Sequence, residues 1–424
     1  MTTWSTRVQW KLGRLLLARG GGRGGTLATL PLVPRSLRML FQRDGLDPVA
    51  PLGRLRESAP VSPLKRLFGI TIWLVSGHPE TQAVLADTTN YSNDIRPYVG
   101  LDPTIPENHV GGLGFTDPPE HSRLRKILTP EFTMRRLERL RPRIAQIVEQ
   151  QLDQVEAAGP VVDLVDSFAF PIPFLVICEL LGLPDEDRAA FRRIGRARFD
   201  LTEGGVGAFG AATESRAFLL SVTRKQRENP TDGLIGRIIR DHGTEIDDLE
   251  LSGLADGVFT GGFETSASML ALGSLVLLQN PREWAALRRD DAAVDRVVEE
   301  LLRYLGVVQL AFPRFARRDL ELFGQKISAG DVLLCSLAGA NRDARLGPDM
   351  GRFDPLREPT AHLAFGHGFH RCVGAELARM ELRTAYPALA RRFPRMRLAA
   401  DPSTLIFRKL SAVYGIDSLP VQLR

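Results

Sequence analysis

The chain has 424 residues with 44% hydrophobic and 25% charged content, an ordinary globular composition with enough apolar material for a large core. Its net charge of +5 arises from acidic and basic residues interleaved along the whole length. That pattern excludes a basic nucleic-acid-binding tract and fits a local basic patch for an acidic protein partner. Three widely spread cysteines, Cys178, Cys335 and Cys372, argue against a disulfide framework and for a reducing, cytoplasmic setting.

Residues 4–18 interleave Trp4, Val8, Trp10, Leu12 and Leu15 with Arg7, Lys11 and Arg14. They read either as a basic amphipathic helix at a membrane surface or as a plain N-terminal extension. No small-residue cleavage site follows a clean apolar core, and no apolar stretch approaches the ~18–20 residues of a bilayer span. Length alone suggests about two or three domains. Without a linker or a repeat to divide the chain, the expectation is an extension over 1–40 and one catalytic body over 41–424.

Within that body, the run Ile70-Thr71-Ile72-Trp73-Leu74-Val75 predicts an early strand before a Gly-His-Pro turn. Asp117-Pro118-Pro119-Glu120-His121 predicts a helix start, and helical periodicity recurs at 135–158, 163–181, 185–204 and 210–229. A long apolar helix is predicted from Asp248 to Gln279, stopped by Asn280-Pro281, and an amphipathic one from Asp291 to Tyr304. Strand character returns between Val307 and Leu337, and an irregular stretch covers Ala340 to His362. A final long helix is predicted from Gly374 to just before Pro394, with short strands over 397–423. The fold class is therefore mainly α with a smaller β part.

Cys178 and Cys335 lie in apolar runs and read as buried small hydrophobes. Cys372 differs, because Phe365-Gly366-His367-Gly368-Phe369-His370-Arg371-Cys372-Val373-Gly374 delivers it on a glycine-punctuated loop to a helix start. There, unpaired backbone N–H groups and the positive helix end favour the thiolate. Glycines at 366, 368 and 374 would let the backbone approach a flat ligand. Glu300 and Arg303 share one helical face, as many solvated helices arrange such a pair. Gly261-Gly262-Phe263-Glu264-Thr265 places two glycines inside a helix at roughly 1 kcal/mol each, which calls either for close packing or for local widening of the helix.

The Cys372 loop resembles the haem-binding loop of the cytochrome P450 family, and the other motifs fall in that family's sequence order. The resemblance implies the single-domain P450 fold, with haem b sandwiched between the long mid-chain helix and the helix after the cysteine loop. It implies Cys372 as the iron ligand, Phe365 beside the sulfur, Gly374 in the loop, and His121, Arg125, Arg314 and His370 as propionate anchors. Glu300 and Arg303 would be joined by Arg352 in a structural charge cluster, while Glu264 and Thr265 would relay protons to bound dioxygen.

The activity implied is a monooxygenase that oxidises an apolar small molecule, with electrons from a separate ferredoxin-type donor and its reductase. Three cysteines cannot hold a four-thiolate cluster within this chain. The resemblance implies pocket walls at Thr260, Gly261, Leu310 and Phe312, with Arg96 and Arg198 as polar handles. A monomer is expected, docking its donor on Arg123, Lys126, Arg371, Arg379 and Arg383. A passive haem carrier and coupling or peroxide-driven chemistry are the competing readings, and the acid-alcohol pair speaks against the carrier.

Overall fold

The structure, a computed structural model, describes residues 34–67, 69–99, 112–199, 206–409 and 411–424. The amphipathic stretch 4–18 lies outside the described residues, as does the side chain of Arg198. After a helix at Ala50–Ser58, strands β1 (Val61–Leu67) and β2 (Ile70–Val75) form an antiparallel pair. Gly77-His78-Pro79 is the start of helix α1 (His78–Ala86) and not a free turn, because proline is tolerated in a first helical turn. Strand β3 (Tyr91–Ser92) follows, then α2 (Glu120–Leu128) after the proline pair.

The central helices are α3 (Arg141–Ala157), α4 (Pro171–Leu181), α5 (Asp185–Phe199), α6 (Val206–Glu228) and α7 (Leu234–His242). The helix expected over 163–181 divides, since strand β4 (Val161–Asp163) and a π-helical turn (Val165–Ala169) precede α4. Helix α8 (Asp248–Leu278) begins at a capping box in which Asp247 and Glu250 each satisfy the other's backbone N–H. By length and composition it is the one helix among the described residues able to cross a membrane, contrary to the expectation that no stretch approaches that length. However, 67% of its apolar window is buried inside the protein. Nineteen of its residues, among them Leu270, Leu272, Ser274 and Leu275, are buried, which is how a helix apolar on every side is accommodated in a core.

Helix α9 (Asp291–Leu305) leads into strands β5 (Arg314–Ala316), β6 (Leu320–Leu322), β7 (Gln325–Ile327) and β8 (Val332–Cys335). Helix α10 (Ala375–Arg392) and strands β9 (Arg397–Leu398) and β10 (Pro420–Gln422) complete the order. One sheet runs β1-β2-β8-β5-β3, with β2 and β8 parallel, and a second runs β9-β10-β4. Each sheet therefore joins early and late segments of the chain. The main core gathers α3, α4, α8, α9 and α10, and a smaller cluster of Leu40, Leu52 and Leu74 seals the outer side of the first sheet.

Candidate active site

The cysteine loop is anchored before it reaches α10. Gly368 has a φ of +67°, and a Cβ there would stand 2.7 Å from both Ala86 Cα and Leu85 O. This glycine is therefore required for docking the loop against α1, not for approach to a flat ligand. The Cys372 N–H donates to Phe365 O at 2.9 Å and closes the loop. The Cys372 side chain is solvent-accessible although its sulfur lies deep in the body. Burial pushes the thiol up from its ordinary value, against the Gly374 N–H and the charges of Arg125, Arg371 and Arg379, which favour the thiolate.

Phe365 carries the Arg379 guanidinium over its ring at 4.7 Å. Arg379 is held by Glu299 at 2.7 and 2.9 Å and by Glu376 at 2.9 Å. Glu299 also meets His362 at 3.2 Å, and although burial opposes it, these partners hold its carboxyl down at about 2. The sequence held no signal for this cluster under the loop.

Beside the loop lies a group of basic side chains short of anions. His121, from α2, is only 1% exposed, and neither of its ring nitrogens has a hydrogen-bond partner. Its ring lies 4.3 Å from that of His370. Burial, with Arg125 and Arg314 nearby, pushes His121 down to about 4 and His370 to about 3. Arg314 is buried on β5 and donates to Phe312 O at 2.9 Å. The neighbouring acid, Asp117, already accepts from Arg317 at 2.7 Å, Ser92 at 2.5 Å and Asn93 N–H at 2.8 Å. With both histidines held neutral, the desolvated charges here are those of Arg125 and Arg314, and the set suits a negatively charged group.

On α8 the glycine pair serves two purposes. A Cβ on Gly262 would stand 2.7 Å from Ile177 of α4, whereas one on Gly261 would meet nothing within 4 Å. The helix runs unbroken across both, so the local widening expected from the pair is not seen. Thr265 Oγ1 donates instead to Gly261 O at 2.6 Å, and Thr260 Oγ1 to Asp256 O at 2.8 Å. Glu264 takes a different partner from Thr265: its Oε1 accepts from Arg408 Nη1 at 3.1 Å. Burial raises the Glu264 carboxyl to about 7 against the pull of Arg408, a residue the sequence did not single out. Phe312 is 47% exposed, edge-on to Phe115 at 4.9 Å, while Leu310 packs on the Leu40, Leu52 and Leu74 cluster. Arg96 bonds Asp94 at 2.8 Å, so that handle is held by an acid.

A family model described as Cytochrome P450 matches residues 161–404. Cytochrome P450 165B3 of Amycolatopsis orientalis is 38% identical over 393 residues, 92% of this chain and 98% of its own. 6-Deoxyerythronolide B hydroxylase of Saccharopolyspora erythraea is 38% identical over 383 residues, 87% of this chain and 94% of its own. The chain belongs to the cytochrome P450 family. Among solved structures, OxyC, a cytochrome P450 implicated in an oxidative C–C coupling reaction during vancomycin biosynthesis, superposes with a TM-score of 0.81. It is 38% identical and covers 90% of this chain and 95% of its own.

P450 enzymes are haem-dependent monooxygenases, and the residues present fit that group. An accessible cysteine stands at a helix start, and beside it lie Arg125, Arg314 and His370 with the unpartnered ring nitrogens of His121, a set suited to two carboxylates. The Glu300 cluster of this P450, by contrast, is satisfied internally. Arg303 binds Glu300 through two bonds of 2.7 Å, and its remaining N–H groups reach Asn341 O, Met350 O and Arg352 O at 2.8–2.9 Å. The third charge in this cluster is Arg357, whose Nε donates to Glu300 Oε1 at 3.0 Å. Arg352, the residue expected there, has an exposed side chain and supplies only its carbonyl. The turn between them aims Arg357 inward, and a choice between two arginines of one irregular stretch is made by that backbone path alone.

The basic face is likewise narrower than the sequence implied. Arg123 pairs with Glu120 and Glu250, Arg379 with Glu299 and Glu376, and Arg383 with Asp295. Lys126 and Arg371 remain as exposed cations.

Proposed function

We propose that this P450 oxidises an apolar small molecule with dioxygen and two electrons from a separate ferredoxin-type donor and its reductase, using haem b held by Cys372. The observation that carries this reading is the basic set of buried His121 and Arg314 with half-buried Arg125 and His370 beside an accessible cysteine at a helix start. His121 Nε2 or Nδ1, the two guanidinium groups and His370 hold the propionates, Phe365 shields the sulfur, and the Gly374 N–H donates to it. When bound, haem supplies the redox-active iron at which dioxygen is reduced.

The chain's own residues bring the protons and shape the pocket. Thr265 Oγ1, set over Gly261 O, positions water on the open side of α8, and the Glu264 carboxyl beside it on the chain holds and returns a proton. Thr260, Gly261 and Phe312 line the substrate side, while Leu310 packs instead on the Leu40, Leu52 and Leu74 cluster. The buried free thiols of Cys178 and Cys335 support a cytoplasmic setting.

The test is optical. The purified protein is expected to be red, and its reduced carbon monoxide adduct to show the long-wavelength Soret band of thiolate ligation, which Cys372→His abolishes. A histidine-type band in the wild type overturns the ligand assignment. A second reading, oxidative coupling of two aromatic rings, draws support from the similarity to OxyC. Product mass separates the two, since insertion adds one oxygen atom and coupling removes two hydrogens.

A further inference from the structure

Two adjacent acids on α9 serve different parts of the protein. Glu300 binds Arg303 and Arg357, while Glu299 turns to α10 and the cysteine loop. The two carboxylate oxygens of Glu299 take Nε and Nη2 of Arg379 at 2.7 and 2.9 Å, a two-pronged grip that fixes the orientation of the guanidinium as well as its position. Nη1 is left for Glu376 of the same helix at 2.9 Å. The guanidinium so fixed stands over the Phe365 ring, its carbon 4.7 Å from the ring centre.

His362 completes the grip from the loop side. Its Nδ1 accepts from the Ala364 N–H at 3.2 Å, which places the ring proton on Nε2, 3.2 Å from Glu299 Oε2. Arg383 pairs with Asp295 at 2.7 Å and comes no nearer than 3.4 Å to Glu299. The Glu299 side chain is 36% exposed and that of Arg379 only 13%, so water screens the acid more than the cation it holds. The charge of this cluster that reaches the Cys372 thiol is that of Arg379, which favours the thiolate alongside Arg125 and Arg371.

We propose that Glu299 is a positioning residue for the sulfur ligand: it holds Arg379 on Phe365, so that the guanidinium charge faces the Cys372 thiolate and the ring stays packed beside the sulfur, and in this way it sets the reduction potential of the bound haem. A thiolate facing a fixed cation gives less electron density to a metal, and the reduced state, with one more negative charge, is favoured. A guanidinium released to solvent no longer gives that support. The idea rests on the assignment of Cys372 as iron ligand proposed above.

It is tested on the substrate-free holoenzyme by a mediated redox titration followed at the Soret band, with no protein donor present. Arg379→Ala is expected to lower the potential, on the order of tenfold in the ferrous-to-ferric ratio, or about 59 mV for one electron. Glu299→Ala is expected to lower it too, although a negative charge is deleted, because Arg379 then swings to Glu376 and solvent. Glu376→Ala deletes the same charge but leaves the two-pronged grip, and should not lower the potential. Glu299→Gln keeps one of the two acceptor oxygens and should fall between Glu299→Ala and wild type, which preserves the test if Glu299→Ala does not fold. A rise in the Glu299 variants means that Glu299 acts only through its own charge, and overturns the proposal. So does an unmoved potential with lowered thermal stability, which would leave the cluster a role in the fold alone, and so does an equal fall in Glu376→Ala. The carbon monoxide band of the wild type separates this from the ligand assignment. A thiolate band with unmoved potentials keeps Cys372 as ligand and removes only the role of Glu299, whereas a histidine-type band removes both.

Discussion

Two buried charge clusters in this P450 are built on opposite plans. Around Glu300 every charge is answered inside the protein: Arg303 forks onto the carboxylate, Arg357 adds a third bond, and backbone carbonyls take the remaining N–H groups. Around His121 the reverse holds: its ring nitrogens have no partner, and burial together with the charges of Arg125 and Arg314 keeps it neutral. The closed cluster holds the irregular stretch that leads to the cysteine loop, and the open one is where we propose that the haem carboxylates bind. Glu264 belongs to a third arrangement, in which a buried acid is tied to the surface through a single cation.

The largest expected effect comes from breaking the closed cluster. Glu300→Ala or Arg303→Ala strands a buried charge at ~3–5 kcal/mol and should yield mostly haem-free or aggregated protein, measured by haem absorbance per protein and by the unfolding midpoint. Normal haem incorporation and an unchanged unfolding midpoint in both variants would show that this buried pair does not hold the core around the cysteine loop.

Next in size is Thr265→Ala, which should leave haem content and substrate binding nearly intact. Product formed per reduced cofactor should fall, with the missing electrons recovered as hydrogen peroxide. A loss of ~10²–10⁴-fold is the upper range for a positioned proton donor. Added peroxide should rescue part of the product.

The semi-open arrangement is probed by pH. The Glu264 carboxyl sits at about 7 in the folded protein against 4.5 when unfolded. Stability fully present below about pH 4.5 is therefore lost as pH rises through about 7. Glu264→Gln should flatten that decline in a chemical-denaturation series, by on the order of 3 kcal/mol at most. The smallest effect sharpens the contrast between two arginines. Arg357→Ala should cost about 1.5–3 kcal/mol as a charged hydrogen bond is lost, and Arg352→Ala less than about 0.5 kcal/mol.

Much of this protein was legible in residue order. Periodicity located α8, whose predicted span from Asp248 to Gln279 differs from the observed one by a residue, because a long apolar run bounded by an N-cap and Asn-Pro admits few alternatives. Short elements were harder. The Gly-His-Pro start of α1 resembled a turn, and the π-helical turn before α4 shares the apolar pattern of the helix it precedes. The cysteine loop was recognisable because a glycine spacing and a helix start are local features.

What local order does not carry is the partner of a charged group distant along the chain. Arg357 in place of Arg352, Arg408 on Glu264, and the pairing of Arg123, Arg379 and Arg383 with acids all depend on where separate segments come to lie. The sequence singled out the residues proposed to carry the chemistry, through the glycine spacing of the cysteine loop and the resemblance of the other motifs to the family's pattern. Tertiary structure alone decided which charges are answered internally and which stay open to a ligand or to solvent. Those outcomes are set by burial and by distances of a few ångströms between side chains as many as 144 residues apart, as Glu264 and Arg408 are.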